Sequence, residues 1–120
     1  MLPKEISYEF IRGDTQKLKP FKAVNKEGEE VTLTELDNIY FTMKNSNKEA
    51  VVKKKINDGI ILGEDGKYHI TLNAVDTQDL PAGNYVYDIE LDLNDTYLYV
   101  NTLITGDIVL LEGVTQKEDR

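Results

Sequence analysis

The chain has no cysteine and no tryptophan, and it has a single histidine, His69. Without cysteine there is no disulfide framework and no thiolate chemistry, which fits a reducing cytoplasm or a protein assembled there before release. With one histidine and no thiol, Cys-His and zinc-hydrolase arrangements are excluded, and a Ser-His-Asp triad is strongly disfavoured. His69 itself falls on the polar side of its segment, where a solvent-facing role is expected. Long apolar runs are also missing. None approaches the roughly 18 residues of a membrane helix, and residues 1–5 lack the apolar core of a cleaved signal. Cations are scarce: 14 Lys and Arg face 22 Asp and Glu, for a net charge of -8. Such a surface is poor at neutralising phosphates, so neither nucleic acid nor membrane is an expected partner. The densest basic run, Lys53-Lys54-Lys55, is flanked by valine and isoleucine and reads as a polar face of an edge strand.

What is present is alternation with a period of two. Tyr85, Tyr87, Ile89, Leu91 and Leu93 alternate with Val86, Asp88, Glu90 and Asp92, giving one apolar and one mostly acidic face. Ile39-Phe41-Met43, Tyr68-Ile70-Leu72 and Ile6-Tyr8-Phe10 repeat the pattern, and residues 97–111 carry Leu98, Val100, Ile104, Ile108 and Leu110 on one parity. Gly106 falls inside this last segment and marks a bend or bulge. Two weaker strands are expected, at residues 19–24, where Pro20 demands an edge or a strand start, and at residues 50–56. Turn signals with glycine separate these pieces at Asn25–Gly28, Asn57–Gly59 and Glu64–Gly66, and Asn94-Asp95 suggests a hairpin. Strands at this spacing indicate a sandwich or barrel of about seven strands. One short helical turn is expected near residues 74–80, capped by Asp76 or Thr77. The chain reads as one domain of 1–120, with an ordered core of about residues 5–115 and a polar, frayed tail at 116–120.

No residue set carries catalysis, a cofactor or a metal. Gly59-Ile60-Ile61-Leu62-Gly63 lacks the lysine and hydroxyl of a phosphate loop. The Asp88, Glu90, Asp92 row lies on one strand face, which suits a solvated surface or one side of an interface better than a paired-acid cleft. Asp92-Leu93-Asn94-Asp95 and Asn57-Asp58-Gly59 do not match calcium-loop spacing and are explained as turns. Arg12-Gly13-Asp14 has a turn role and is not read as an adhesion motif. Tyr40, Tyr97 and Tyr99 sit on outer parities and, with Asp88, Glu90 and Asp92, are the candidates for a contact surface.

The stretch Asp79-Leu80-Pro81-Ala82-Gly83-Asn84-Tyr85-Val86-Tyr87 resembles the tyrosine corner of immunoglobulin-like sandwiches. That likeness gives Tyr85 and Gly83 structural roles, with the Tyr85 hydroxyl reaching back to the corner's backbone. A wider pattern runs through Phe10-Ile11-Arg12-Gly13-Asp14-Thr15, Phe21, Gly28, Leu33-Thr34 and Asp37-Asn38-Ile39-Tyr40-Phe41-Thr42-Met43-Lys44. It continues through Asp65-Gly66-Lys67-Tyr68-His69-Ile70, Asp76-Thr77, Leu80, Gly83 to Ile89 and Thr102-Leu103-Ile104-Thr105-Gly106. In order and spacing it resembles the N-terminal domain of baseplate upper proteins of tailed phages and prophages of Gram-positive bacteria. The resemblance spans about residues 6–115. It implies an all-β, immunoglobulin-like antiparallel β-sandwich that serves as a virion tail or baseplate component. Such a component would be assembled in the bacterial cytoplasm and would act by contact with other tail or baseplate proteins, with homo-oligomers a further option. The family has no catalytic residues to carry over, so no enzyme is expected. A carbohydrate- or cell-surface-binding β-sandwich module is the alternative suggested by the outer tyrosines.

Overall fold

The computed structural model describes residues 2–95 and 97–120, and for Lys117 the backbone only. The protein is all-β. Nine strands lie among the described residues: β1 (Lys4–Glu5), β2 (Tyr8–Ile11), β3 (Gln16–Lys17), β4 (Asn38–Lys44), β5 (Ala50–Ile56), β6 (Gly59–Leu62), β7 (Tyr68–Leu72), β8 (Gly83–Asp92) and β9 (Val100–Leu111). The helix α1 (Ala74–Thr77) joins β7 to β8. Neighbours follow the order β1-β9-β8-β4-β5-β6-β7-β3, with β2 continuing the β1 edge along β9. The sheet curls, and the apolar faces of β4, β8 and β9 and of β6 and β7 contribute to one buried cluster. Ile39, Phe41, Met43, Ile89, Leu91, Ile108 and Leu110 are at its centre, as the period-two pattern of these strands requires. The two strands with the strictest alternation, β4 and β8, pair antiparallel along their length, from Asn38 opposite Asp92 to Lys44 opposite Val86.

Three ladders correct the expectation of an antiparallel sheet, because β1 and β2 run parallel to β9 and β5 runs parallel to β6. The β5–β6 case is local. Asn57 and Gly59 both take positive φ, 65° and 101°, so the chain folds back twice in two residues and Lys55 pairs with Gly59. A glycine makes the second of these turns inexpensive. The Asn-Asp-Gly signal was therefore a turn, but one that hops between ladders instead of closing a hairpin.

At the other edge, β1 and β2 are separated by Ile6 and Ser7. The Ile6 N–H donates to the Thr105 carbonyl at 3.0 Å, and the Ile6 carbonyl accepts from the Tyr87 hydroxyl at 2.6 Å. Gly106 lies beneath this junction. A Cβ there would stand 2.0 Å from the Ile6 oxygen, a backbone atom that cannot step aside. Gly106 is thus a close-approach position within a continuous strand. The expected bulge lies elsewhere: the β8–β9 register shifts between Ile89 and Glu90, which pair with Ile104 and Thr102 and leave Leu103 as the extra residue. Leu103 and Ile104 are both buried as a result, which no strict alternation allows.

Other boundaries also moved. Residues 19–24 form no strand; Phe21 makes a single bridge to Tyr68 and Val24 one to Glu30, because Pro20 breaks the ladder. The last strand begins at Val100 instead of residue 97. Asn94, Asp95 and Tyr97 all have positive φ, so the described residues between β8 and β9 do not make the tight hairpin that was expected, and Leu98 is 90% exposed instead of inward. The helix stops at Thr77. Its start is held by the Asp76 carboxylate, which accepts from the Asn73 N–H at 2.7 Å, while buried Thr77 accepts from the Gly13 N–H at 2.8 Å. The tail beyond residue 115 is not simply frayed: Arg12 donates to the Gln116 side chain at 2.6 Å, and a 3-10 turn spans Lys117–Asp119.

Candidate contact surface

The outer face of β5, β4, β8 and β9 is built from two successive rungs. In one, Lys55, Tyr40, Glu90 and Thr102 stand side by side; in the next, Lys53, Thr42, Asp88 and Thr105. The parity that sends Phe41, Ile89 and Leu91 into the core sends these residues outward. The β5, β4 and β8 members of these rungs border a hollow of about 490 Å³ that Asp58 and Tyr97 also line. A second hollow of about 310 Å³ shares Thr42, Asp88 and Glu90 and extends toward Lys44 and Val86.

Asp88 and Glu90 are half-buried, and burial pushes both carboxyls up from their ordinary range. Lys44 offsets part of the effect at Asp88, whereas Asp88 and Asp92 add to it at Glu90. Among the described residues no ion pair joins either carboxylate to a cation, and none engages Lys53 or Lys55. Tyr40 donates to Asp95 Oδ1 at 2.5 Å, and this bond, with some burial, pushes its phenol up to about 12. Tyr97 is 70% exposed at the rim.

Of the six expected contact residues, the structure brings four together: Tyr40, Tyr97, Asp88 and Glu90. Asp92 is not on the open face. It is fully buried, with Oδ1 accepting from the Tyr97 N–H at 3.2 Å, because Tyr97 folds back over the end of β8. Tyr99 points into a separate contact, accepting from the Lys26 N–H at 2.8 Å with the Lys26 ammonium 5.4 Å from its ring centre. Lys53, Lys55 and Thr42 were missed. Their place depends on the β4–β5 register, which the sequence does not display, although the alternation of Lys53 and Lys55 about Lys54 was a usable signal. Lys54 points the other way and pairs with Asp76 of α1 at 3.0 Å.

Elsewhere, Tyr85 donates to the Pro81 carbonyl at 2.6 Å, and Gly83 opens β8 opposite Leu110. The Arg12 of the Arg-Gly-Asp triplet is committed internally, to the Gln78 carbonyl at 2.8 Å and to Glu112 at 2.9 Å. His69 meets the Asp65 carboxylate at 3.0 Å across an exposed turn, and this contact holds Asp65 below the usual carboxylate range. Among the described residues no group of three His, Cys, Asp or Glu is placed to hold a metal ion, and no helix is long and apolar enough to cross a membrane. No protein-family model matches the chain, and no curated protein matches it.

Proposed function

We propose that this chain is a structural component of a phage or prophage tail or baseplate, working through protein–protein contact and not through catalysis. The observation that carries the reading is the outer β4–β5–β8 face. It holds two carboxylates raised by burial and two lysines, none of them satisfied by an ion pair among the described residues. Charges left in that condition beside an exposed tyrosine suit a surface that is completed by another molecule. An immunoglobulin-like sandwich is the finer fold assignment. Its support is the neighbour order β4-β8-β9 on one side and β6-β7-β3 on the other, which matches the C-F-G and D-E-B arrangements of that fold, together with the Tyr85 corner bond. The family resemblance supplies the virion setting, in which tail or baseplate proteins are the partners and assembly takes place in the bacterial cytoplasm. The test is mass spectrometry of particles purified from an induced lysogen that encodes the chain. Its peptides are expected in intact virions, and their absence there would reject the role.

A carbohydrate- or cell-surface-binding module is the second reading. The feature favouring it is the Tyr97 ring, 70% exposed at the edge of a hollow that also offers carboxylates. Retention on a glycan or cell-wall matrix, lost in Tyr97→Ala, is the outcome that would support it.

A further inference from the structure

The two rungs are arranged as strips of opposite charge. Lys53 and Lys55 lie on β5, Asp88 and Glu90 lie on β8, and the neutral hydroxyls of Thr42 and Tyr40 lie on β4 between them. A two-fold axis running along β4, in the plane of contact, would exchange left for right while keeping each rung at the same height. It would set Lys55 of one copy over Glu90 of the other and Lys53 over Asp88, each pair occurring twice. Self-complementarity of this kind is what a two-fold interface requires.

We infer that this face pairs with a second copy of the same chain, through reciprocal Lys55–Glu90 and Lys53–Asp88 contacts flanking a central strip of Tyr40 and Thr42. The inference rests on the contact reading above and names its partner. The half-buried carboxylates favour it, because among the described residues neither has an ion pair within its own chain and each would gain one. The net charge of -8 on each copy opposes it. The area opposes tight binding as well. Four strands about 4.8 Å apart and two rungs with their neighbours cover on the order of 300 Å² per copy, against about 800 Å² in a standard interface. The association is therefore weak, and high protein concentration belongs to the test.

The experiment is sedimentation equilibrium on three versions of the full chain at up to about millimolar concentration: wild type, Asp88→Lys/Glu90→Lys, and Lys53→Glu/Lys55→Glu. The four paired positions are all basic in the second and all acidic in the third, so neither should self-associate through them. An equimolar mixture of the two should form a heterodimer, at least about tenfold tighter than either variant alone. That mixture carries the same total charge as two wild-type chains, so any gain reports local complementarity. Wild type should dimerise measurably and lose the dimer in high salt. Circular dichroism shows whether each variant is folded; where one is not, Asp88→Asn/Glu90→Gln and Lys53→Gln/Lys55→Gln replace the swaps and should each abolish the wild-type dimer. A mixture that stays monomeric, a wild type that stays monomeric, or variants that dimerise as well as wild type would each overturn the inference. Presence in virions is read separately, so the dimer and the virion role can fail independently.

Discussion

The Tyr87 hydroxyl holds the Ile6 carbonyl at 2.6 Å across 81 positions of sequence. The same ring stacks on Phe41, with centres 5.5 Å apart, so the bond ties the N-terminal edge to the middle of the core. Tyr87→Phe keeps the packing and leaves a part-buried carbonyl without its donor. The expected cost is about 1–2 kcal/mol in denaturant unfolding. Hydrogen exchange should show β1 and β2 loosening more than β4.

Gly106→Ala tests the same junction from below. The added Cβ meets the Ile6 carbonyl at 2.0 Å, so β1 must move away from β9. A loss of about 2 kcal/mol or more is expected, larger than for Tyr87→Phe, because overpacking here is against backbone. Urea midpoints of the two variants, measured side by side, decide the order.

Of three consecutive lysines, the middle one should matter most to stability. The Lys54 and Asp76 side chains are only 10% and 19% exposed, and their ion pair tethers α1 to β5. Lys54→Ala leaves the Asp76 carboxylate without its cation and should cost about 2 kcal/mol. Lys53→Ala and Lys55→Ala should stay within about 0.5 kcal/mol of wild type. Thermal melts of the three variants at one salt concentration make the comparison.

Two groups of carboxylates give pH effects of opposite sign. Burial raises the folded pKa of Asp88 and Glu90 above their ordinary values of 3.8 and 4.5. Between the ordinary and the raised value the folded chain binds more protons than the unfolded one, so these two groups cost stability as pH rises through that window. Asp88→Asn and Glu90→Gln should therefore stabilise the monomer at neutral pH, by about a few tenths of a kcal/mol after solvent screening. Asp37 behaves oppositely. Its carboxylate accepts from the Thr34 N–H and the Asn94 N–H, both at 2.8 Å, and the Thr34 bond leads in holding its pKa below 3.8. Its contribution is present above that value and is lost as pH falls through the lowered folded pKa. Asp37→Asn should weaken the protein at pH 7 and flatten the acid end of the stability curve. Urea titrations between about pH 3 and 7 read both effects.

The strands legible in sequence were those whose two faces differ. Ile39-Phe41-Met43 and Tyr85 through Leu91 could be placed because every second residue had to be buried, and Tyr85 because its corner has a local backbone partner. What alternation cannot report is a change of phase. Leu103 breaks parity in β9, so Gly106, the obvious weak point, drew the bend that belongs three residues earlier. Asp92 looked solvent-facing by parity and is covered by a loop whose shape depends on positive φ at Asn94, Asp95 and Tyr97. The acidic half of the contact face was visible along one strand. Its basic half required knowing that Lys53 and Lys55 pair opposite Thr42 and Tyr40, a long-range register with no local signature.

The parallel run of β2 beside β9, with Tyr8 opposite Ile108 and Ile11 opposite Leu111, also decides how the molecule carries load. Because both strands run the same way, a pull toward the N-terminus on one and toward the C-terminus on the other slides them past each other. Every hydrogen bond of the ladder is then strained together, where an antiparallel pair drawn apart from one end would open bond by bond. Stretched between its ends in a single-molecule experiment, the domain should hold and then give way in one abrupt rupture at this seam.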